Sequence, residues 1–430
     1  MEKIYIETYG CSANQNNSEI LAGILTQAGF IIVNKESMAD LIIINSCVVK
    51  SKTESKIKRR IQDLKSKPIL VCGCMPETDF KKIKKLNKNA FFLGTHHFKE
   101  ILNLLRDYKE KQLDDKKQLE YLAKKDEIKL NTSKLPKNKL ISIHQISEGC
   151  LGNCSYCKTR LAKGKLFSYP QEDIIKSITQ DLESGAKEIW LTSQDNGCYG
   201  YDFDNKPHLI ELLNKILAIK KNFKLRLSMT NPNHISQILQ ELIEVYKNPK
   251  IYKFLHIPTQ SASNKVLEHM HRKYKIEQVK EIISKFQKEF PDIVIATDII
   301  VGYPIETQED HKKNLEFIQD IKPDVFNLSK FSRHKGTELE KLELLPGKTI
   351  AKRASELMQV HKETAKANKT RFLNKELRVF INEKISDNLF RARDENYNLV
   401  VIKTSKENLG KQINVKIINT GVHNLIGEIA

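Results

Sequence analysis

The sequence predicts an α/β protein in three parts: an N-terminal parallel α/β domain, a central incomplete barrel of six β/α units, and a small antiparallel β-barrel at the C-terminus. Three observations carry this. Short apolar runs alternate with amphipathic helical stretches over residues 1–110. Six further strand-then-helix units follow from Leu140. Residues 371–430 then show short, partly alternating runs about ten residues apart, without a sustained helical period. A length of 430 residues suits about three domains.

In the first part, Lys3–Tyr9, Leu41–Asn45, Pro68–Val71 and Ala90–Leu93 read as strands, with helical periodicity from Ser18, Ser51, Glu77 and Phe98 onwards. Cys11, Cys47 and Cys74 each fall at or just beyond the carboxyl end of one of these strands. In an open parallel sheet those ends line one crevice, where ligands bind. The three thiols can therefore converge on a metal centre, or equally be three buried apolar cysteines. Cys72 reads as a core residue. Residues 108–138 are polar and rich in Lys, Asp and Glu, as expected of a linker helix and an extended join, so the parts are drawn at 1–110, 111–138, 139–370 and 371–430.

The central strands are expected at Leu140–Gln145, Glu188–Thr192, Lys224–Met229, Tyr252–Ile257, Ile293–Val301 and Asp324–Ser329. Barrels of this kind place their chemistry at the carboxyl ends of the strands. Directly after the first strand, Cys150, Cys154 and Cys157 stand in a C-x3-C-x2-C spacing. Three thiolates so placed ligate three irons of a cubic 4Fe-4S cluster and leave the fourth open. A structural zinc site would want a second close ligand pair, which the following residues lack. Three cysteines crowded by chance are the remaining alternative. Polar clusters at Ser193–Gly197, Thr230–Pro232, Pro258–Ser261 and Gly302–Pro304 follow later strands, although each also suits a turn. Cys198 has no evident partner and reads as non-ligating.

The last strands are expected at Leu377–Asn382, Leu389–Arg393, Leu399–Lys403, Ile413–Ile418 and Leu425–Ile429. Arg378, Arg391, Arg393, Lys403, Lys406, Lys411 and Lys416 lie among them, a set that can follow a nucleic-acid backbone or simply be a solvated surface. A net charge of +19 points to a polyanionic partner, or to a bias towards Lys and Asn. No secretory leader and no apolar run of about 18 residues is present, so a cytoplasmic protein without a membrane span is expected. Eight cysteines are too few for a disulfide framework and read as ligands or thiols.

With these segments in hand, the whole chain resembles the radical S-adenosylmethionine methylthiotransferases. The resemblance rests on Ile6-Glu-Thr-Tyr-Gly-Cys11 with Asn14-Gln15, on Asn45-Ser46-Cys47, on Gly73-Cys74-Met75-Pro76 and on the C-x3-C-x2-C loop. It continues in His256-Ile-Pro-Thr-Gln-Ser261, Val266-Leu267 and Met270-His-Arg272. The final barrel is similar to the TRAM domain, an RNA-binding module. The resemblance implies that Cys150, Cys154 and Cys157 hold a 4Fe-4S cluster whose open iron chelates S-adenosylmethionine, which one-electron reduction splits to a 5′-deoxyadenosyl radical. It implies a second, auxiliary 4Fe-4S cluster on Cys11, Cys47 and Cys74, carrying the sulfur to be inserted. Tyr156, Gln194, Gln260 and Gly302 are the expected cofactor contacts, and Arg378, Arg391, Arg393, Lys403 and Lys416 the expected RNA contacts. A tRNA anticodon stem-loop and a reductant protein are the implied partners. The chain departs from the family at Ile305, where relatives usually have a glycine that can supply a positive φ.

The start Ile6–Cys11 and the turn Thr192–Gly197 look more like the archaeal and eukaryotic branch than the bacterial isopentenyladenosine branch. That branch implies methylthiolation at C2 of N6-threonylcarbamoyladenosine, position 37 of tRNA. The stop at Ala430 without a hydrophobic tail favours a soluble, archaeal-type enzyme. The alternatives are methylthiolation of isopentenyladenosine or of a ribosomal-protein side chain, and, from another class, a non-catalytic zinc-loaded RNA-binding protein.

Overall fold

Strands β1 (Lys3–Thr8), β2 (Ile31–Val33), β3 (Leu41–Ser46), β4 (Ile69–Gly73) and β5 (Ala90–Gly94) form one parallel sheet, ordered β2-β1-β3-β4-β5. The structure is a computed structural model that describes residues 2–404 and 407–430; Lys406 lies outside them. β3 and β4 are buried along their whole length, as apolar runs covered on both faces require. β2 escapes the sequence reading because three residues at a sheet edge are too short to show a period. It matters nonetheless, since the chain steps to one side of β1 for β2 and to the other side for β3. That reversal opens a crevice at the carboxyl ends of β1 and β3.

The segment after this sheet packs closely. Gln118, on the helix Asp115–Glu120, accepts from the Phe92 N–H at 3.1 Å and donates to the Phe92 carbonyl at 2.6 Å, closing the free edge of β5. Glu127 accepts from the Phe98 and Lys99 N–H groups, and Leu130 joins the apolar core of the central part.

The central part contains β6 (Ile141–Gln145), the short pair β7 (Ser147–Glu148) and β8 (Phe167–Ser168), then β9 (Glu188–Thr192), β10 (Lys224–Leu227), β11 (Phe254–Gln260), β12 (Val294–Val301) and β13 (Val325–Lys330). The six long strands run parallel as β6-β9-β10 and β11-β12-β13. The two halves meet at the bridge Leu225–Ile251, which gives the expected open barrel of six β/α units.

A 24-residue helix, Gly347–Thr370, leads to the C-terminal part. It lies outside the sequence expectation because its buried stripe mixes Ile350, Ala354, Leu357 and Ala365 with Arg353, His361 and Lys369. Two of the polar members are paired, Arg353 with Glu306 at 2.6 Å and Lys369 with Asp324 at 3.0 Å, while both ring nitrogens of His361 are buried without a hydrogen-bond partner. Strands β14 (Glu376–Ser386), β15 (Leu389–Arg393), β16 (Leu399–Lys403), β17 (Gln412–Thr420) and β18 (Leu425–Ile429) then close a barrel ordered β14-β15-β16-β18-β17. β16 and β18 run parallel within this otherwise antiparallel ring. An odd number of strands cannot alternate direction all the way round. Among the described residues no helix is long and apolar enough to cross a membrane.

Candidate metal centres

Cys11, Cys47 and Cys74 come together at the crevice opened by the strand reversal. Cys11 begins the helix Ser12–Gln27 after β1, Cys47 follows β3, and Cys74 begins the helix Cys74–Leu86 after β4. Three polar side chains bind these strand ends to each other. Asn14 Nδ2 donates to the Tyr9 carbonyl at 2.7 Å and to the Ser46 carbonyl at 2.9 Å. Asn45 Nδ2 donates to the Asn14 carbonyl at 2.8 Å. Ser46 Oγ donates to the Cys72 carbonyl at 2.6 Å and accepts from the Met75 N–H at 3.1 Å. Cys72 itself points into the core, as expected.

The thiols interact electrostatically. Burial, and then the neighbouring thiols, push Cys47 up to about 11 and Cys74 up to about 12, against the opposing pull of Lys163. Thiols held protonated in this way are poor nucleophiles, whereas metal ligation deprotonates a thiol outright. The backbone also approaches the thiols closely. A Cβ on Gly10, whose φ is +106°, would stand 2.8 Å from Cys47 Sγ, so the backbone leaves room where only glycine fits.

The second triad lies on the loop after β6. Gly149, with φ +67°, turns the chain where a Cβ would meet the Lys165 carbonyl oxygen at 1.8 Å. Gly152 N–H donates to Cys150 Sγ at 3.2 Å, and a Cβ on Gly152 would touch the sulfurs of Cys150 and Cys154 at 3.3 and 3.6 Å. The loop is fastened from the far side of the barrel: Ser155 N–H donates to the Met270 carbonyl at 3.3 Å and Ser155 Oγ to the His269 carbonyl at 3.0 Å. Tyr303 reaches both partners, 3.0 Å from Ser155 Oγ and 2.8 Å from His269 Nδ1. Burial and the adjacent thiol of Cys154 push Cys157 up to about 11. Arg272 lies in electrostatic reach of Cys150 and Cys154, and its buried Nε has no hydrogen-bond partner. Two glycine-lined thiol sets fit iron–sulfur clusters, and the second, with the Arg272 guanidinium beside it, also fits the carboxylate of a cofactor.

One expectation is corrected here. Cys198 has partners: its Sγ, Cys150 Sγ and a carboxylate oxygen of Asp195 all lie within 4.8 Å of one another, and Cys198 Sγ donates to the Asp195 carbonyl at 3.2 Å. Their separation in the chain hid the contact, which arises because the turn after β9 folds against the cysteine loop. Asp195 Oδ1 meanwhile accepts from the Gly197 and Asn231 N–H groups at 2.9 and 3.0 Å, leaving Oδ2 buried without a hydrogen bond.

Tyr156, Gln194, Gln260 and Gly302 all stand at the carboxyl ends of the central strands. Gln194 has a buried Oε1 without a partner, and Gln260 sits at φ +69°. Gly302 has φ +77°, and a Cβ there would lie 2.6 Å from Ile350 Cγ1. Ile305 is not among the described residues with positive φ; it packs against the cluster of Tyr303 and Phe331, so the turn passes it without strain. His256 and Asp298, on adjacent strands of the same barrel, pair at 2.5 Å. In the terminal barrel Arg378, Lys403 and Lys416 are exposed, and Arg391 is exposed but paired with Glu383 at 2.9 Å. Arg393 turns inward instead, over the ring of Tyr397.

Comparison with known proteins agrees with this layout. The uncharacterized protein family UPF0004 matches residues 3–94, and the radical SAM superfamily matches residues 145–318. The chain is 36% identical over 443 residues to a probable threonylcarbamoyladenosine tRNA methylthiotransferase of Pyrococcus horikoshii, covering 100% of both chains. It is 33% identical over 438 residues to the human threonylcarbamoyladenosine tRNA methylthiotransferase, covering 100% of this chain and 74% of that one. Among solved structures it is similar in fold to the radical S-adenosylmethionine methyltransferase TsrM of Kitasatospora setae, with a TM-score of 0.56 at 12% identity over 79% of this chain and 75% of that one. The cobalamin-dependent S-adenosylmethionine radical enzyme OxsB gives a TM-score of 0.53 at 12% identity over 84% and 56% of the respective chains.

Proposed function

The chain belongs to the threonylcarbamoyladenosine tRNA methylthiotransferase family, and on that footing we propose that it methylthiolates C2 of N6-threonylcarbamoyladenosine at position 37 of tRNA. Cys150, Cys154 and Cys157 would hold one 4Fe-4S cluster with S-adenosylmethionine, and Cys11, Cys47 and Cys74 a second. The observation that carries this reading is the meeting of the two cysteine sites: the helix Lys158–Lys163, which starts at Cys157, packs on the helix that starts at Cys74.

When bound, the clusters and S-adenosylmethionine supply what no side chain can, a radical able to attack an unactivated aromatic C–H bond and the sulfur to replace its hydrogen. The protein's share is position and the exclusion of water. Ser155, His269 and Tyr303 hold the cysteine loop in place from the opposite side of the open barrel. Arg272 offers a cation beside that loop. Asn14, Asn45 and Ser46 fix the other three thiols to one another through the backbone. Arg378, Lys403 and Lys416, on one small barrel, supply charge for the phosphates of the anticodon stem-loop. A cytoplasmic reductant protein would deliver the electron.

The substrate is tested by giving the reduced, cluster-loaded enzyme two tRNAs that differ only in the adenosine modification. Product from the threonylcarbamoyl tRNA alone is expected, and product from the isopentenyl tRNA alone overturns the reading of the substrate.

A further inference from the structure

Two buried lysines share one buried carboxylate. Glu148, two residues before Cys150, pairs with Lys129 on one oxygen and with Lys163 at 2.7 Å on the other, and all three side chains are 1–3% exposed. Each carboxylate oxygen of Glu148 is thus taken by a buried ammonium group. One carboxylate cannot balance two cations, and a buried charge without its counter-charge is costly. Lys129 has Glu127 as a further anion. Lys163 donates its other hydrogen bond to a neutral group, Thr95 Oγ1, at 2.6 Å. Its other electrostatic neighbours are the sulfurs of Cys74 and Cys11, which become anionic on ligating a metal, together with Glu77, whose carboxyl burial pushes up to about 7. The adjacent Ala162 packs in one apolar cluster with Cys74 and Met75, which fixes this side of the helix against the thiol site.

We propose that Lys163 is the counter-cation of the cluster held by Cys11, Cys47 and Cys74, delivered into that site by the helix that begins at the other cysteine loop. The proposal rests on the assignment of this triad to a cluster. A fixed positive charge beside the ligating sulfurs favours the more negative, reduced form, and so raises the midpoint potential and helps retain the iron. Lys163 is thus a positioning residue, carried to the first site by a helix that begins at the second cysteine loop.

The test uses the full chain with Cys150, Cys154 and Cys157 replaced by Ala, in which only one cluster remains to give an EPR signal. Absence of iron in that background overturns the two-cluster assignment, whatever Lys163 does. With the cluster present, Lys163→Met should lower the midpoint potential in an EPR-monitored redox titration and speed iron loss to a chelator severalfold, while Lys163→Arg stays near the parent. Lys129→Met removes the other cation on Glu148 and should shift the potential less. An unchanged potential in Lys163→Met, or equal shifts in Lys163→Met and Lys129→Met, overturns the proposal. If Lys163→Met fails to load iron, loading in Lys163→Arg supports the same role, and failure of both overturns it.

Discussion

Arg226, on β10 of the central barrel, places its guanidinium 5.0 Å from the ring centroid of Tyr397 in the terminal barrel. The same guanidinium lies 4.8 Å from the ring centroid of Trp190 and 5.1 Å from that of Phe254, so three aromatic faces enclose one cation across the boundary between two parts of the chain. Tyr397→Ala should cost about 3 kcal/mol, combining large-to-small truncation with the lost cation–π contact. Thermal unfolding and faster proteolysis near residues 371–376 would register it. An unchanged melting temperature would mean that the terminal barrel is held by its other contacts.

Replacing Cys150, Cys154 and Cys157 together by Ala should remove about half the iron and all cleavage of S-adenosylmethionine, as ligand loss at one of two independent sites requires. Iron analysis and the assay of cleavage products decide it. Full iron content in this variant refutes the assignment.

Gly149→Ala should act on the same site without touching a ligand. The new Cβ would collide with the Lys165 carbonyl at a backbone angle that strains any other residue by about 1–3 kcal/mol. The expected result is poorer loading of the Cys150 loop with the iron on Cys11, Cys47 and Cys74 retained, read by iron content and EPR. Normal loading of both sites would show that the loop has a second path.

For RNA, substitutions are cleaner than truncation, because removing the terminal barrel would bare Trp190 and Phe254. Arg378→Ala, Lys403→Ala and Lys416→Ala together should weaken tRNA binding and reduce the slope of log K against log salt by about 2–3, at about 0.7–0.9 per phosphate contact. An unchanged slope moves the footprint off this barrel.

Acid should destabilise the protein in two steps. Burial holds His96, His144 and His361 down at about 4, below the 6.5 of a free imidazole. The unfolded chain therefore takes up these protons first, and stability present above pH 6.5 is lost as the pH falls towards 4. Glu148, held at about 2 against 4.5, extends the loss below pH 4.5. Melting temperatures across this range test both steps, and His361→Gln should flatten the upper one. A melting temperature constant from pH 7 to 4 would contradict the buried, neutral histidines.

The strands that carry the two cysteine triads were legible because apolar runs of four or more residues and close cysteine spacing are local signals. Strand β2 was too short for such a signal, and with it went the strand reversal between β1 and β3 that explains why Cys11 and Cys47 meet. The neighbours of the triads were hidden for another reason. Cys198 beside Cys150 is a tertiary contact, Lys163 and Arg272 are electrostatic neighbours of Cys74 and Cys154, and nothing in their immediate sequence marks them. Nothing in the sequence marks Glu148 and Lys129 either, since only the fold reveals that they are 3% and 1% exposed.

The clasp of Gln118 on Phe92 also bears on how the protein behaves in a crowded cell. With it in place, β5 offers no unpaired ladder at Phe92, and the Gly94 N–H is likewise taken by the Tyr121 carbonyl at 2.8 Å; Gln118→Ala would leave a buried donor and acceptor at Phe92 and loosen the cover of the edge run Ala-Phe-Phe-Leu-Gly. This amide side chain thus helps keep the edge from pairing with another copy, and its loss should appear first as insoluble protein during expression at high concentration, before any change in cluster chemistry is felt.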